Sequence, residues 1–460
     1  MRDPGSFRDR SGHVYHVDGR VLRSISAPAL AHLKHAEVSG CVDALSGRGW
    51  LIEYRYVDPT TVSPDLPKAA AWVEHPRIEP WTYPYEWPTL LLREAALLHL
   101  DVLLLALEHD VVLSDSSAYN LQFVGGRPIY IDLLSLRRYE PGSYWAGHKQ
   151  FCEQFLAPLI LDARWNIAWQ PWFRGSLEGI PLESIAHLCR RRDWLSLRMA
   201  MHVLLPARLA SRTTSSSEVV SRPTRPLPKT AYVNLVRGLR EWIQSMPGIA
   251  GTSVWMEYAT SNTYASEERE AKRRIVADFV GRRQPERVID LGCNSGDYSE
   301  VALTAGAKRV VGLDADRGAL AAACRRSKSL AAFLPLYMDA ANPSPAQGWL
   351  EHERKAFSTR FVSDAVIALA FAHHLAVGRN APIDETLAWI VQLAPAGLIE
   401  FVEPDDPTVQ KMLRLRDGPL PEWDRARFEQ ALSNQVRIVA STVVSSAGRR
   451  IYEYERYAQA

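Results

Sequence analysis

The second half of the chain alternates short apolar segments with amphipathic ones, and this alternation restricts the possible folds more than any other feature. Strand patterns occur at Arg287–Leu291, Arg309–Asp314, about Phe333–Met338, Asp364–Leu369 and Leu398–Val402. The helical patterns SGDYSEVALTAG, GALAAACRRSKSL and DETLAWIVQLA separate them. Neighbouring parallel strands need a crossover connection, which a helix supplies. We therefore predict a mostly parallel, doubly wound α/β sheet.

Segments on either side of this region set the predicted domain limits. Glu267–Val280 is amphipathic and predicts a helix before the first strand. The stretch QVRIVASTVVSSAGRRIYEYERYA predicts two strands around a Ser-Ala-Gly turn, antiparallel at one edge of the sheet. Residues 211–230 are rich in Ser, Thr, Pro and Arg, which is typical of a linker. We predict domains at 1–210 and 231–460, joined by the linker 211–230.

Composition excludes several classes of protein. Lys and Arg number 54 against 52 for Asp and Glu, so the net charge of +2 gives no general attraction to nucleic acids or acidic membranes. Five cysteines without a CxxC pair fit free thiols in a reducing compartment. The apolar window Leu90–Leu113 is interrupted by charged residues, among them Arg93, Glu94, Asp101 and Glu108, so it predicts a buried helix and not a membrane span. We expect a cytoplasmic protein without nucleic-acid or membrane partners.

The first strand pattern leads into a glycine loop, VIDLGCNSGDYS at 288–299. In open parallel sheets, ligands bind beyond the carboxyl ends of the strands, which is where this loop lies. Gly292 and Gly296 allow a tight turn and a close approach of the backbone to a ligand. The glycines are spaced GxxxG and not GxGxxG, and Asn294 between them tolerates the left-handed conformation.

Acidic residues at two strand ends indicate what the loop holds. Asp290 would repel a phosphate, and it suits an ammonium group or a hydroxyl. Asp314 closes VVGLDAD, about 20 residues after the loop, where an acid usually binds a ribose diol. A ligand with a cationic amino-acid part and a nucleoside part fits both acids, and S-adenosylmethionine is such a ligand. The alternative is a Rossmann-type domain that binds another nucleotide.

From about Trp255 onward the sequence resembles the class I S-adenosylmethionine-dependent methyltransferases. VIDLGCNSGDYS is similar to their motif I, and VVGLDAD to their motif II. The resemblance implies a Rossmann-like fold, an adenine contact for Asp339 in PLYMDAANPSP, and motif IV at SDAVIALAFAHHL. WMEY, NTYASEE, GWLEHER, ALAFAHHLAV and LIEFVEPDD resemble a nodulation-related subgroup, a likeness that supplies no reaction.

The resemblance also concerns the segment before motif I. In such enzymes a segment of this kind often folds over the cofactor, which makes Tyr264 a candidate cofactor contact. Lys272 lies in the same segment, but a lone lysine on an amphipathic helix is more commonly exposed to solvent. We predict that Asp290, Gly292, Asn294, Gly296, Asp314, Asp339 and Tyr264 bind S-adenosylmethionine.

Methyl transfer to a hydroxyl requires a positioned acceptor and a base that removes its proton. His373 and His374 follow the fourth strand pattern, and we expect at most one of the two to face the acceptor. Glu403, like Glu400, lies at the fifth strand end, where it could orient a histidine or act as the base. Adjacent histidines lack the i, i+4 spacing of a helical zinc pair, so we predict no metal there. The expected reaction is O-methylation of a small-molecule, natural-product or glycan-like acceptor.

The segment GWLEHER supplies further candidates for the acceptor pocket. Trp349, Glu353 and Arg354 follow the strand that ends near Asp339, and we consider them possible lining residues. A single tryptophan more often serves packing. The sequence gives no indication of the oligomeric state.

The first half contains VVLSDSSAYNLQFVGGRPIYIDLLSL, which resembles a kinase-like catalytic loop. Asp115, Asn120 and Asp132 match the spacing of a catalytic base and two magnesium ligands in protein kinases and aminoglycoside phosphotransferases. Leu113 replaces the usual histidine, and neither Lys34 nor Lys68 lies in a suitable strand. We therefore predict a degenerate α+β kinase-like domain that binds the acceptor or serves as an accessory.

Two other functions remain open at this point. The protein could be a bifunctional kinase and methyltransferase that uses Asp115, Asn120 and Asp132 for Mg-ATP, with Asn120 and Asp132 as metal ligands. It could also be a non-catalytic scaffold that binds S-adenosylmethionine. A chance spacing of Asp and Asn in a turn is the simpler interpretation of the first-half motif.

Overall fold

The computed structural model describes residues 1–62, 65–215, 225–247, 263–414 and 423–457. Contacts divide the chain into two compact units. Unit 1 comprises Met1–Ile249 and Ala346–Lys355, and unit 2 comprises Ala250–Pro345 and Ala356–Ala460. The sequence-based division at residues 211–230 differs from this grouping. None of the described helices is long and apolar enough to cross a membrane.

Unit 1 begins with a four-stranded antiparallel sheet of order β1-β2-β4-β3, followed by two pairs of short strands. The four strands are β1 Val14–Val17, β2 Arg20–Ile25, β3 Arg55–Tyr56 and β4 Ala71–His75. The pairs are β5 Val111–Leu113 with β8 Leu136–Arg138, and β6 Leu121–Val124 with β7 Arg127–Tyr130. The β6–β7 hairpin turns at Gly125-Gly126, as the glycine pair predicts.

The rest of the described part of unit 1 is mainly helical. Its helices are α1 Ala27–Val38, α2 Cys41–Ser46, α3 Thr89–Glu108, α4 His148–Phe151, α5 Ala157–Trp165, α6 Gln170–Gly175, α7 Leu182–Leu188, α8 Leu197–Met199, α9 Leu205–Ser215 and α10 Lys229–Ser245. Two π-helical turns, Cys152–Leu156 and Ala200–Leu204, lie between α4 and α5 and between α8 and α9.

Helix α3 forms the centre of unit 1, and it confirms the prediction of a buried helix in Leu90–Leu113. Most of its leucines are buried, and the window ends in strand β5. Helix α10 packs against α3, with Val236 and Leu239 fully buried and Arg240 Nη2 3.0 Å from Asp101 Oδ2. This packing is why α10, which lies largely beyond the predicted linker, belongs to unit 1.

Unit 2 contains a seven-stranded sheet of order β11-β10-β9-β12-β13-β15-β14. The strands are β9 Arg287–Leu291, β10 Arg309–Asp314, β11 Phe333–Tyr337, β12 Ala365–Ala368, β13 Ala396–Phe401, β14 Val436–Val443 and β15 Arg450–Arg456. The first five are parallel, and β15 runs antiparallel to both β13 and β14. This confirms the predicted doubly wound sheet with an antiparallel edge. The strand order reverses between β9 and β12, the place where such sheets bind ligands.

Helices connect the strands of this sheet, as parallel neighbours require. They are α11 Thr263–Arg283, α12 Asp297–Thr304, α13 Arg317–Ser327, α14 Phe357–Arg360, α15 Ala372–Ala376, α16 Ile383–Gln392, α17 Pro407–Arg414 and α18 Arg425–Ser433. Val276 and Phe279 of α11 pack with Val288, Ile367 and Leu398 of the sheet. Strands β12 and β13 are buried along their whole length, which explains why their residues are apolar except for Glu400 in β13.

Candidate functional site

The glycine loop turns in the left-handed conformation at three positions. The φ angles are 71° at Gly292, 49° at Asn294 and 82° at Gly296. A Cβ atom at Gly296 would lie 2.7 Å from the Phe333 ring, and one at Gly292 would lie 3.0 Å from Phe371. Both glycines are therefore required by space as well as by conformation. Asn294 occupies the conformation that asparagine tolerates best among residues with a side chain.

Asp290 lies under this loop and fastens it to the next helix. Its side chain is almost fully buried, and its Oδ2 accepts a hydrogen bond of 2.6 Å from the Ser299 hydroxyl on α12. Burial, assisted by the nearby charges of Asp314 and Asp297, raises the pKa of Asp290 to about 7. The carboxyl group therefore changes its charge close to neutral pH.

Asp314 lies at the carboxyl end of β10 and bonds to the loop. Its Oδ2 accepts from the Asn294 backbone N–H at 2.9 Å, and its Oδ1 accepts from the Asp316 N–H at 2.8 Å. Burial raises its pKa, against the effect of these hydrogen bonds. A carboxylate offers about four acceptor positions, so acceptor capacity remains for a hydroxyl group of a ligand.

Asp339 completes a row of acids along the same edge of the sheet. It is half-buried, its Oδ1 accepts from the Ala341 N–H at 3.0 Å, and Arg379 approaches its Oδ2 to 3.8 Å. The Met338 N–H donates to the Asp314 carbonyl oxygen at 2.9 Å, which keeps the ends of β10 and β11 together. The structure thus places Asp290, Asp314 and Asp339 at the ends of three adjacent parallel strands. The side chain of Tyr264 lies outside the described residues.

The two predicted catalytic histidines lie in α15, just after β12. His373 is buried, whereas His374 is half-buried, and their ring centres are 4.3 Å apart. Within the described residues, His373 Nδ1 has no hydrogen-bond partner. Burial lowers the pKa of His374 to about 4 and that of His373 well below its ordinary value, and Arg449 adds to both shifts. Both rings are therefore neutral at neutral pH, and His374 is the more exposed.

The two glutamates near the fifth strand end have different surroundings. Glu400 is fully buried, and its Oε2 accepts from the Ala370 N–H at 2.8 Å, just before the histidines. Glu403 instead lies 3.9 Å from Arg425 and beside Gly448. Glu400 rather than Glu403 therefore holds the segment that carries the histidines. A catalytic role for Glu403 stays a prediction.

A buried ion network surrounds Glu400, and the sequence did not indicate it. Lys272 Nζ lies 2.6 Å from Glu268 and 2.8 Å from Glu400. Arg449 lies 2.8 Å from Asp406 and 3.4 Å from Glu268. The expectation that Lys272 is exposed is wrong, since it is only 5% exposed. The i, i+4 spacing of Glu268 and Lys272 was visible, but such pairs are common on exposed helices.

The residues of the predicted kinase-like loop in unit 1 also come together. Asn120 Nδ2 donates to Asp115 Oδ1 at 2.9 Å, and Arg23 Nη2 lies 2.7 Å from Asp132 Oδ1. Burial, with the neighbouring charge of Asp132, raises the pKa of Asp115 to about 7. The sequence missed Arg23, a buried cation on β2. Lys34 pairs with Glu37 instead, at 2.7 Å.

The candidates for an acceptor pocket in GWLEHER group with unit 1. Glu353 Oε2 accepts from the Trp349 N–H at 3.0 Å, and the Arg354 guanidinium lies 4.0 Å from the ring centre of Tyr119. Trp349 itself is 63% exposed. These contacts give Glu353 and Arg354 a packing role within unit 1, and an acceptor contact stays a prediction.

A cavity of about 260 Å³ lies in unit 2 beside the start of α16. Asn380, Ile383, Asp384 and Arg427 are among its lining residues. None of the predicted cofactor residues lines it, so this cavity is distinct from the acid-lined strand ends.

Fold and geometry together define a class of protein: a Rossmann-like α/β domain with a row of acids at the strand ends, near the place where its strand order reverses. No family model matches the chain. The chain is 44% identical over 460 residues to nodulation protein NoeA of Rhizobium meliloti (strain 1021), covering 99% of this chain and 96% of that protein. The chain therefore belongs to the NoeA family.

Solved structures match a little under half of the chain. Magnesium protoporphyrin IX methyltransferase (ChlM) from Synechocystis PCC 6803 with bound SAH is 19% identical, with coverage of 48% of this chain and 95% of its own and a TM-score of 0.31. The N-methyltransferase NodS from Bradyrhizobium japonicum WM9 in complex with S-adenosyl-L-homocysteine is 15% identical, with coverage of 45% and 93% and a TM-score of 0.31. Similarity this low carries no conclusion about ligand or reaction.

Proposed function

We propose that unit 2 is an S-adenosylmethionine-dependent methyltransferase that methylates a hydroxyl of a small-molecule or glycan-like acceptor. The observation that carries this proposal is the row of Asp290, Asp314 and Asp339 at adjacent strand ends around a left-handed glycine loop. S-adenosylmethionine presents an ammonium, a sulfonium and a ribose diol, all of which suit carboxylates. Bound phosphates would be repelled by the same acids.

We assign the residues of this site to different parts of the cofactor. Asp314 has acceptor capacity left for the ribose hydroxyls, and the backbone of Gly292–Gly296 allows close approach of the ligand. Asp290 contributes negative charge from beneath the loop, since its near-complete burial leaves little surface for direct contact. The family resemblance assigns Asp339 to the adenine and places Tyr264 in a segment that often folds over the cofactor.

His374 is our candidate for the general base. Its half-buried, neutral imidazole follows β12 at the edge that carries the acids. When bound, S-adenosylmethionine supplies the methyl group and leaves as S-adenosylhomocysteine. The imidazole takes the hydroxyl proton of the acceptor as the oxygen forms its new bond to carbon. Glu400 acts through the backbone by holding Ala370 in place.

Calorimetry with S-adenosylmethionine and S-adenosylhomocysteine tests the proposal. Hydrogen bonds to a charged group contribute about 1.5–3 kcal/mol, so Asp314→Asn should weaken binding by roughly 10- to 100-fold. Asp364→Asn is the matched control, because Asp364 lies at the opposite end of β12 and accepts from the Arg287 N–H at 2.8 Å. Absence of binding by the wild-type protein would contradict the proposal.

For unit 1 we propose a kinase-like accessory domain that binds the acceptor. The hydrogen bond between Asn120 and Asp115 supports the kinase-like arrangement. The ion pair of Arg23 with Asp132 speaks against phosphotransfer, because it neutralises a carboxylate that magnesium would need.

The alternatives give different results. Magnesium-dependent ATP binding that disappears in Asp132→Ala would favour a bifunctional enzyme. Formation of a methylated product that is lost in Asp314→Asn would exclude a non-catalytic scaffold. Because the R. meliloti relative is named a nodulation protein, extracts of nodulating rhizobia are a suitable source of acceptors.

A further inference from the structure

Three side chains with metal-binding atoms meet inside unit 1, away from the residues discussed so far. Nitrogens of His148 and His202 and the sulfur of Cys152 all lie within 4.8 Å of one another. His148 Nε2 is 2.9 Å from His202 Nδ1 and 3.7 Å from Cys152 Sγ. Two imidazole nitrogens and a cysteine sulfur are ligands that zinc prefers, whereas magnesium and calcium prefer oxygen ligands.

Two of the three separations between ligand atoms are close to those around a tetrahedral ion of that kind, and all three are within 4.8 Å. Zinc bonds of about 2.0–2.1 Å to nitrogen and about 2.3 Å to sulfur place tetrahedral ligands about 3.3 Å (N···N) and about 3.6 Å (N···S) apart. The observed separation of His148 Nε2 and Cys152 Sγ agrees with this value. The two nitrogens need to move apart by only about 0.4 Å to reach the expected separation.

The backbone at this cluster is irregular in both segments that carry it. Cys152 begins the π-helical turn Cys152–Leu156, and His202 lies within the second π-helical turn, Ala200–Leu204. Single π-turns inside α-helices are rare and occur frequently at functional sites. Each turn changes which way the following side chains point, and here both segments bring a ligand atom to the same place.

The cluster is enclosed but still reachable. Cys152 is fully buried and His202 nearly so, while His148 is half-buried. Indole rings pack beside it, with Trp145 5.3 Å from the His148 ring and Trp242 6.0 Å from the His202 ring. An ion could enter past His148 and would then be shielded from bulk water.

We propose that His148, Cys152 and His202 bind one zinc ion, with the fourth coordination position taken by water or another exogenous ligand. On binding, the Cys152 thiol releases its proton to solvent and the thiolate bonds to the metal. The proton shared between the two imidazoles moves to an outer nitrogen. Because His148 and Cys152 lie in α4 and the π-turn that follows it, and His202 lies in the second π-turn, the ion would fasten α4–α5 to α8–α9.

Titration of the metal-free, full-length protein with Co²⁺ and then Zn²⁺ tests this site. We expect one equivalent of cobalt to produce a thiolate-to-cobalt absorption band with intense tetrahedral d–d bands, and one equivalent of zinc to abolish them. Zinc should also raise the melting temperature, because it binds the folded state. Neither readout depends on methyl transfer, so failure here leaves the proposed methyltransferase function untouched.

Substitutions distinguish a metal site from a buried cluster that is held only by hydrogen bonds. Cys152→Ser should lose the thiolate band, whereas Cys189→Ser, at a cysteine outside the cluster, should keep it. His148→Asn should weaken cobalt binding by at least about tenfold. His148 is the most exposed of the three ligands, so the His148→Asn variant tests the site even if Cys152→Ser does not fold. No cobalt band in the folded wild-type protein, or an unchanged band in both cluster variants, would overturn the proposal.

Discussion

A single residue, Asp290, should make cofactor binding depend on pH. Its pKa of about 7 lies above the ordinary value, and a bound cation favours the ionised form. We expect the Kd for S-adenosylmethionine to rise about tenfold per pH unit below about pH 7 and to stay constant above it. Calorimetry across pH measures this, and Asp290→Asn should bind weakly at every pH.

The same shift has a consequence for the free protein. The folded state keeps a proton on Asp290 that the unfolded chain has already lost between about pH 4 and 7. The contribution of Asp290 to stability therefore falls as pH rises through that window. A stability profile that is identical in wild type and Asp290→Asn would contradict the assigned pKa.

His374 and His373 should respond differently to substitution. A general base contributes about 10²- to 10⁴-fold, so His374→Gln should lower kcat by that factor at saturating cofactor. With a pKa of about 4, the wild-type base is already unprotonated above about pH 5, and kcat should be flat there. His373→Gln should mainly lower stability, because His373 is buried. Equal kcat values for wild type and His374→Gln would rule out this base.

At the scale of elements, α11 is fixed to the sheet by a buried charge. Breaking a buried ion pair costs about 3–5 kcal/mol, so Lys272→Met should lower the free energy of unfolding by about that amount. Arg273→Met on the same helix is the control, since its pair with Glu270 is exposed and worth about 1 kcal/mol or less. Denaturant unfolding of both variants measures the difference, and similar losses would show that the network contributes little.

The sequence predicted elements better than it predicted their partners. The bounds of β9 and β10 agree with the predicted ones because charged or glycine residues end each apolar run. The acids of the site could be found because each lies at or just beyond the end of its own strand. Arg449 beside Glu400 and Arg23 beside Asp132 could not, since no local pattern joins residues so far apart. Lys272 was misplaced because a lysine on an amphipathic helix is usually exposed.

For the whole molecule, the grouping of Ala346–Lys355 with unit 1 predicts that residues 1–249 alone are incomplete. The Lys355 N–H donates to the Tyr83 hydroxyl at 2.7 Å, and Arg354 covers the Tyr119 ring. A 1–249 fragment should melt at a lower temperature when alone than when a synthetic 346–355 peptide is added. A peptide with Arg354→Ala should restore less, because a cation–π contact is worth about 0.5–2 kcal/mol. No effect of either peptide would contradict this prediction.

The placement of residues 346–355 in unit 1 also affects how the gene can recombine. A recombination breakpoint anywhere between the two units would leave the first half without ten residues that the second half of the gene encodes. Shuffling of the second half onto other partners is therefore disfavoured, and the two halves should be inherited together as one reading frame. The match with the R. meliloti relative, which covers 99% of this chain, includes both halves.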